Sequence, residues 1–231
     1  MSALRVSGLS IARAGLPVVS GVDLVAEPGA ISVVLGANGA GKTTLLEGLS
    51  GIIPVTGGTI AIGGSEVQNA LAGLRSRAGL AHVEQGRTVF GQLTTDENLR
   101  IGLRKGAGTD EAYGLFPELT QRRQVRGGLL SGGEQQMLVI ARALLTRPKV
   151  LLIDEMSAGL APVIVTRLMH TVRRLADEGL AVLLVEQFAA LALSIGDRAY
   201  VMRRGRFVYD GDCGSLAKAP DELHRLYLGT T

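Results

Sequence analysis

The sequence predicts an α/β fold in which a sheet of short, buried strands carries a ligand site along one edge. Four apolar runs of strand length, at residues 31–35, 80–83, 150–153 and 180–185, support this prediction, because each is followed at once by glycine or by an acid or amide. In open α/β sheets, ligands bind where the strands end. An N-terminal antiparallel β layer and an inserted helical subdomain complete the expected fold.

Composition and charge describe a single globular domain with a mixed, solvated surface. At 231 residues and 46% hydrophobic content the chain can bury a sizeable core, which must be aliphatic because only 3% of the residues are aromatic. The formal charge of +3 argues against a dedicated nucleic-acid binder. The single cysteine, Cys213, excludes an internal disulfide framework and a multi-cysteine metal site, and it fits a reducing cytosol. With neither a spanning apolar run nor the layout of a signal peptide, we expect a chain that stays in the cytoplasm.

The organising motif lies between the first predicted core strand and a helix. GANGAGKTT, residues 36–44, matches G-x-x-x-x-G-K-[ST] in the context that a phosphate-binding loop requires. Glycines let backbone N–H groups point at phosphate oxygens, Lys42 supplies positive charge for the β and γ phosphates, and the Thr43 hydroxyl is placed to ligate Mg²⁺. A merely structural glycine-rich turn gives no reason for Lys and Thr at these offsets. The predicted nucleotide contacts are Gly36, Ala37, Asn38, Gly39, Ala40, Gly41, Lys42, Thr43 and Thr44.

Turn signals define the other N-terminal elements. Signals at positions 14–15, 21 and 28–29 predict two strands before the phosphate-loop strand. The helix after the loop is expected to end at Gly51, and a further strand to cover residues 59–62.

Gln85 follows the predicted strand 80–83, where its amide could reach a metal or a water molecule. On local context alone, a solvent-facing loop residue is the favoured interpretation. After the strand at residues 59–62, glycine punctuation continues to Gly91.

Residues 87–146 are predicted to form a helical insertion. TTDENL marks a helix start and Pro117 a break. Arg122, Arg123 and Arg126 form a basic cluster that could bind a partner, although a charge run of this size is more often a solvated face.

The heptapeptide LSGGEQQ begins an amphipathic helix. Ser131 and Glu134 form a capping box, which by itself needs no ligand. Gly132 and Gly133 each weaken the helix by roughly 1 kcal/mol relative to Ala, which indicates that something approaches this backbone closely. Since helix N-termini attract anions, the segment is a candidate anion site.

Two acids follow the buried run 150–153. Asp154 is the candidate ligand for a nucleotide-bound Mg²⁺, and Glu155 is the candidate general base for water attacking the γ phosphate. A pair of solvated acids is an unlikely alternative directly after four buried apolar residues. Beyond SAGLAP, residues 157–162, the pattern predicts helices at 162–178 and 188–195, a strand at 199–202, a hairpin into 207–209 and a C-terminal helix.

These motifs together resemble the nucleotide-binding subunit of ABC transporters, and the resemblance covers essentially the whole chain. GANGAGKT is similar to Walker A, LSGGEQQ to the ABC signature, VLLIDE to Walker B and SAGLAP to the D-loop. Within the family the chain most resembles the ATP-binding subunit of LivF-type importers of branched-chain amino acids. The segments that carry this resemblance are residues 83–90, LFPEL, SAGLAP, VEQ and the ending YLG. The resemblance implies a RecA-like P-loop NTPase core (residues 1–86 and 147–231, including the β layer) with an ABC α-helical signature subdomain (87–146) in a single domain.

The resemblance also implies partners. Two subunits, identical or related, would face head to tail, each ATP lying between Walker A of one chain and Ser131, Gly132 and Gly133 of the other. Two integral-membrane permease subunits would convert closure into transport at the inner face of the cell membrane, with a substrate-binding protein acting indirectly. No nucleic-acid partner is expected.

Three positions depart from the family pattern. Arg13 stands where an aromatic often stacks on adenine, so that base recognition would use its guanidinium plane or weaker contacts. Gln85 occupies the position of the Q-loop glutamine, a metal and water contact, but follows Glu84 where this branch commonly has Pro. Gln187 replaces the switch histidine, and an amide cannot become a cation near neutral pH, which implies a slow site.

Other functions remain open from sequence. An ATPase for urea, for other amino acids or for export differs only in its partners and cargo. A non-transport ABC ATPase acting on ribosomes or DNA usually fuses two ATPase domains or carries long insertions, which 231 residues do not hold.

Overall fold

The computed structural model describes residues 2–104 and 108–229 and contains two sheets. The first is antiparallel, with strand order β2-β1-β4-β5. Its strands are β1 (Leu4–Arg13), β2 (Leu16–Ala26), β4 (Gly57–Ile62) and the short β5 (Ser65–Glu66). This is the N-terminal antiparallel layer that the sequence predicted.

The second sheet has the strand order β10-β9-β3-β8-β7-β6. Strands β6, β7, β8, β3 and β9 pair in parallel, and β10 closes the edge antiparallel to β9. Their bounds are β3 (Ile31–Leu35), β6 (Leu80–Val83), β7 (Val150–Asp154), β8 (Ala181–Val185), β9 (Arg198–Arg203) and β10 (Arg206–Asp212). The four apolar runs are therefore adjacent strands of one sheet.

Helices connect and cover these strands. They are α1 (Lys42–Ser50), α2 (Ala72–Ala78), α3 (Thr95–Ile101), α4 (Asp110–Leu115), α5 (Gly132–Leu144), α6 (Pro162–Asp177), α7 (Ala189–Ile195), α8 (Cys213–Ala217) and α9 (Pro220–Leu228), with 3-10 turns at Pro117–Arg122 and Gly127–Leu129. Among the residues that the structure describes, no helix has the length and apolar content needed to cross a bilayer.

The parallel sheet is buried on both faces because its strand residues alternate between two cores. Ile31, Val33 and Leu35 pack with α5 and α6, whereas Val34 packs with α1 and the antiparallel layer. Burial on both faces explains why these strands appear in the sequence as continuous apolar runs.

Two local predictions were wrong. The predicted turn at position 21 lies inside β2, where Gly8 (φ +59°) and Gly21 (φ +62°) accompany a shift of register between β1 and β2. Helix α2 was not predicted, because glycines surround its seven residues and its contact with the rest of the fold is made by a polar side chain.

That side chain is Arg75, which is only 2% exposed. Its guanidinium donates to Gly48 O (2.6 Å) and Leu49 O (2.9 Å) near the end of α1, and to the carbonyls of Gln68 and Ala70. A cation at the negative end of a helix is stabilised by the helix dipole, which compensates for part of its desolvation. Arg75 therefore fixes α2 against α1, the helix that begins at the phosphate loop.

Candidate functional site

The phosphate loop, residues 36–41, joins β3 to α1. Gly41, the N-cap of α1, has φ +108°, and a Cβ on Gly36 would collide with the carbonyl oxygen of Met202. Lys42 is 5% exposed, and its ammonium donates to Gly36 O (2.9 Å) and Ala37 O (3.3 Å). The lysine thus folds back over the loop, where a positive charge and a helix N-terminus coincide, a geometry suited to phosphate.

Asp154 and Glu155 occupy different environments although they are neighbours. Asp154 ends β7 and is 1% exposed; the Thr43 hydroxyl hydrogen-bonds to it, and its Oδ1 has no partner among the described residues. Burial raises the pKa of Asp154. A buried carboxylate oxygen without a partner is unfavourable unless a cation approaches it, so Asp154 and Thr43 fit a divalent metal.

Glu155 faces the cleft. Its Oε2 accepts a hydrogen bond from Gln85 Nε2 at 2.8 Å, and its Oε1 lies 3.8 Å from Lys42 Nζ. The backbone of Glu155 has φ +46°, which is uncommon for a residue with a side chain. Gln85 is exposed, as the solvent-facing interpretation expects, and its amide also contacts Glu155.

One cleft of about 380 Å³ collects these groups. It is lined by Val18, Asn38, Gly39, Gly41, Lys42, Thr43, Thr44, Gln85 and Glu155. Residues from the β layer, the phosphate loop, the end of β6 and the end of β7 thereby meet at the carboxyl edge of the parallel sheet, as the sequence predicted for ligand binding in this fold class.

Gln187 is exposed and is not among the described residues that line this cleft. Its backbone N–H donates to Glu186 Oε2 at 3.3 Å. Glu186 is fully buried, accepts from Ser157 N (3.2 Å) and Ser157 Oγ (2.6 Å), and has its pKa raised by burial. The sequence marked Glu186 only as the end of a strand. In the structure its carboxylate accepts hydrogen bonds from Ser157, in the loop after Glu155, and from the backbone of Gln187.

Ser131 caps α5, and the predicted capping box is present. Ser131 Oγ accepts from Glu134 N at 3.3 Å, and Glu134 Oε2 accepts from Ser131 N at 2.8 Å. A Cβ on Gly133 would come within 3.0 Å of Ile164, and one on Gly132 within 2.7 Å of Arg87. Neighbours within the chain therefore approach both glycines closely. None of the three residues from Ser131 to Gly133 lines the cleft of Lys42 in the described part of the chain.

The basic cluster beside this helix is partly engaged within the chain. Arg122 Nε donates to Glu134 Oε1 at 2.8 Å, and the Arg123 guanidinium lies 4.0 Å from the centre of the Tyr113 ring. Two of the three arginines thus serve intramolecular contacts, which favours the solvated-face interpretation.

Arg13 ends β1 beside the first turns of α1. Its Nε donates to Thr44 Oγ1 at 3.0 Å, and its guanidinium pairs with Glu47. These contacts hold Arg13 beside the first turns of α1, and its expected contact with the base stays a prediction.

The fold and the cleft define a nucleotide-binding protein of the P-loop type. A profile of the family described as "ABC transporter" matches residues 19–158, and the chain belongs to this family. It is an ATP-binding, ATP-hydrolysing subunit.

Curated relatives and a solved structure agree with this assignment. The chain is 42% identical to the "High-affinity branched-chain amino acid transport ATP-binding protein BraG" of Pseudomonas aeruginosa, over 90% of this chain and 91% of that protein. It is 34% identical to the "Probable branched-chain amino acid transport ATP-binding protein LivF" of Archaeoglobus fulgidus, over 98% of each. A nucleotide-free ATP-binding cassette from an ABC transporter shares the fold, with a TM-score of 0.87 over 98% of each chain at 22% identity.

Proposed function

We propose that this chain hydrolyses ATP to drive an importer of branched-chain, hydrophobic amino acids. The observation that carries the proposal is the meeting of Lys42, Gln85 and Glu155 in one cleft at the edge of the parallel sheet. Full-length similarity to two proteins named for branched-chain amino acid transport supports the cargo class.

Residues in and beside the cleft have separate roles in this proposal. The backbone of residues 36–44 and Lys42 bind the phosphates of ATP. Glu155 accepts a proton from the attacking water, and the Gln85 amide orients the Glu155 carboxylate through their 2.8 Å contact. Arg13 lies where it can contact the base.

Thr43, Asp154 and Gln85 are the proposed holders of Mg²⁺. The orphaned Oδ1 of Asp154 and the adjacent Thr43 hydroxyl support this assignment, since hard divalent cations prefer such oxygens. When bound, the ion neutralises charge on the phosphates of ATP.

A head-to-tail dimer is the proposed working unit. Ser131, Gly132 and Gly133 do not line the cleft of their own chain within the described residues, which leaves them for a nucleotide held by a second subunit. The helical segment 87–146 would then be a signature subdomain that presents this loop, and the core would comprise residues 1–86 and 147–231. With a partner that carries histidine at the switch position, Gln187 would belong to the slower of two unequal sites.

The proposed permease contact is a groove of about 350 Å³ between β6, α2 and α5. Its rim exposes Ile52 (47%), Phe90 (48%) and Ile101 (54%), large apolar side chains that a docked segment would cover. In the proposed dimer, one integral-membrane subunit seated in the groove of each chain would hold the pair at the cytoplasmic face of the membrane. A substrate-binding protein would act through these membrane subunits.

Transport by the reconstituted complex tests the cargo. The chain, its candidate permease subunits and a candidate binding protein are placed in vesicles, and uptake of leucine, a polar amino acid and urea is compared with and without ATP. ATP-dependent leucine uptake that is lost in Glu155→Gln is the expected result. The branched-chain importer would be rejected by uptake of urea, by outward transport, or by normal ATP hydrolysis without any transport. Each of these results would favour one of the alternative functions.

A further inference from the structure

The guanidinium of Arg87 lies at a junction of three loops. Its Nη2 donates to Ala158 O at 2.6 Å, three residues after Glu155. A Cβ on Gly132 would come 2.7 Å from Nη1, and a Cβ on Gly159 would come 3.4 Å from Nη2. One side chain therefore contacts the loop of Gln85, the loop after Glu155 and the start of α5.

The backbone at Arg87 is unusual. Arg87 has φ +53° and follows Gly86 at φ +95°, and Val89 N donates to Arg87 O at 2.6 Å. A left-handed conformation is uncommon for arginine, and such conformations persist where surrounding contacts determine them. This turn also places Gln85, two residues earlier, against Glu155.

At this junction the Arg87 guanidinium donates to a neutral carbonyl, Ala158 O, at 2.6 Å. It lies beside the positive end of the α5 dipole, where a cation is disfavoured. The short, charge-assisted hydrogen bond therefore ties the loop of Arg87 to the loop that follows Glu155.

We propose that Arg87 is a positioning residue that couples the two ATP sites of the dimer. This inference rests on the proposed head-to-tail pairing. Gln85 and Glu155 serve the chain's own nucleotide, whereas Gly132 belongs to the loop that serves the partner's nucleotide. Because the Arg87 guanidinium touches the loops of both sets, movement of one loop on ATP binding displaces the other.

Substitution of Arg87 should separate turnover from binding. Arg87→Met keeps the aliphatic stem and removes the guanidinium, and Arg87→Lys keeps the charge on a compact ammonium that lacks the planar fork of arginine. We expect kcat to fall about tenfold in Arg87→Met, within the usual range of coupling between sites, and by less in Arg87→Lys. The Hill coefficient for ATP should fall towards 1, while ATP affinity of the single chain stays within about twofold.

The full-length chain is assayed for ATP hydrolysis over a range of ATP concentrations, with Arg5→Ala as the control because Arg5 is exposed on β1, in the antiparallel layer. Thermal unfolding confirms that each variant folds. Dimerisation is measured separately by sedimentation of Glu155→Gln with ATP. If no dimer forms, the proposed pairing is wrong and the coupling falls with it. If the dimer forms and both folded Arg87 variants keep the kcat and Hill coefficient of the wild type, the inference about Arg87 alone is overturned.

Discussion

Replacing Glu155 by glutamine isolates its charge, since the two side chains have nearly the same shape. In the structure, Glu155 accepts from Gln85 Nε2 at 2.8 Å and lies 3.8 Å from Lys42 Nζ. A glutamine amide can keep one hydrogen bond here but cannot take a proton from water. A general base usually contributes about 10²- to 10⁴-fold, so turnover should fall by that factor, a rise of about 3 to 5 kcal/mol in the barrier.

The same substitution should strengthen ATP binding. The Glu155 carboxylate competes with phosphate for Lys42, and two unit charges at 3.8 Å attract by roughly 4 kcal/mol at an effective dielectric of about 20. Only part of this attraction remains in a cleft open to solvent, which leaves a gain in affinity on the order of tenfold. Slow hydrolysis and tighter binding together should trap the ATP-bound dimer.

Steady-state phosphate release, single-turnover kinetics and sedimentation with ATP measure these effects. Glu27→Gln is the matched control, because Glu27 is an exposed glutamate before β3. Turnover in Glu155→Gln equal to that of the wild type, without a trapped dimer, would refute the reasoning and require another proton acceptor.

Three further predictions concern binding, the switch position and stability. Lys42→Ala should abolish tight ATP binding, and an unchanged affinity by equilibrium titration would contradict the phosphate-loop assignment. Gln187→His should raise basal turnover, each tenfold gain corresponding to about 1.4 kcal/mol; a wild type that equals the histidine variant and far exceeds Gln187→Ala would reject unequal sites. Burial lowers the pKa of His82 from 6.5 to about 4. Between pH 6.5 and pH 4 the unfolded state therefore binds more protons than the folded state, and the free energy of unfolding, measured by urea titration, should decline as the pH falls through this range. His82→Gln should remove that part of the pH dependence, and an unchanged slope in the variant would count against burial of a neutral imidazole.

Much of the fold could be predicted because burial on both faces leaves an unbroken apolar run in the sequence. Strands β3, β6, β7 and β8 were found in this way, with bounds that differ from the structure by one residue at most. Helix α2 gave no comparable signal, because Arg75 holds it through hydrogen bonds to backbone carbonyls, and no side-chain pattern records those acceptors. Arginine is usually exposed, so nothing in the sequence indicated that Arg75 is buried.

The candidate site divides along the same line. Asp154 and Glu155 come directly after a buried apolar run, and Lys42 and Thr43 belong to a contiguous motif, so local sequence was enough to propose them. The contact of Gln85 with Glu155 joins positions 70 residues apart and was not predicted; the family resemblance pointed only to Gln85 as a metal and water contact. Glu186 and Arg87 were missed. Each is a single charged residue after a strand or in a loop, and no sequence pattern shows whether such a side chain bonds to a neighbouring loop or faces solvent.

Backbone strain marks where these loops act together. Glu155 (φ +46°) and Arg87 (φ +53°) are both left-handed residues with side chains; Glu155 accepts from Gln85, and Arg87 follows Gln85 by two residues. Glu155 N donates to Val185 O at 2.9 Å, and its carboxylate accepts from Gln85 at 2.8 Å. Arg87 donates to Ala158 O at 2.6 Å, and its carbonyl accepts from Val89 N at 2.6 Å. Strain of this kind persists only where surrounding structure determines it. Because Arg87 lies two residues from Gln85 and donates to the loop that follows Glu155, substitutions at these positions affect neighbouring contacts, and their effects on turnover are not expected to sum.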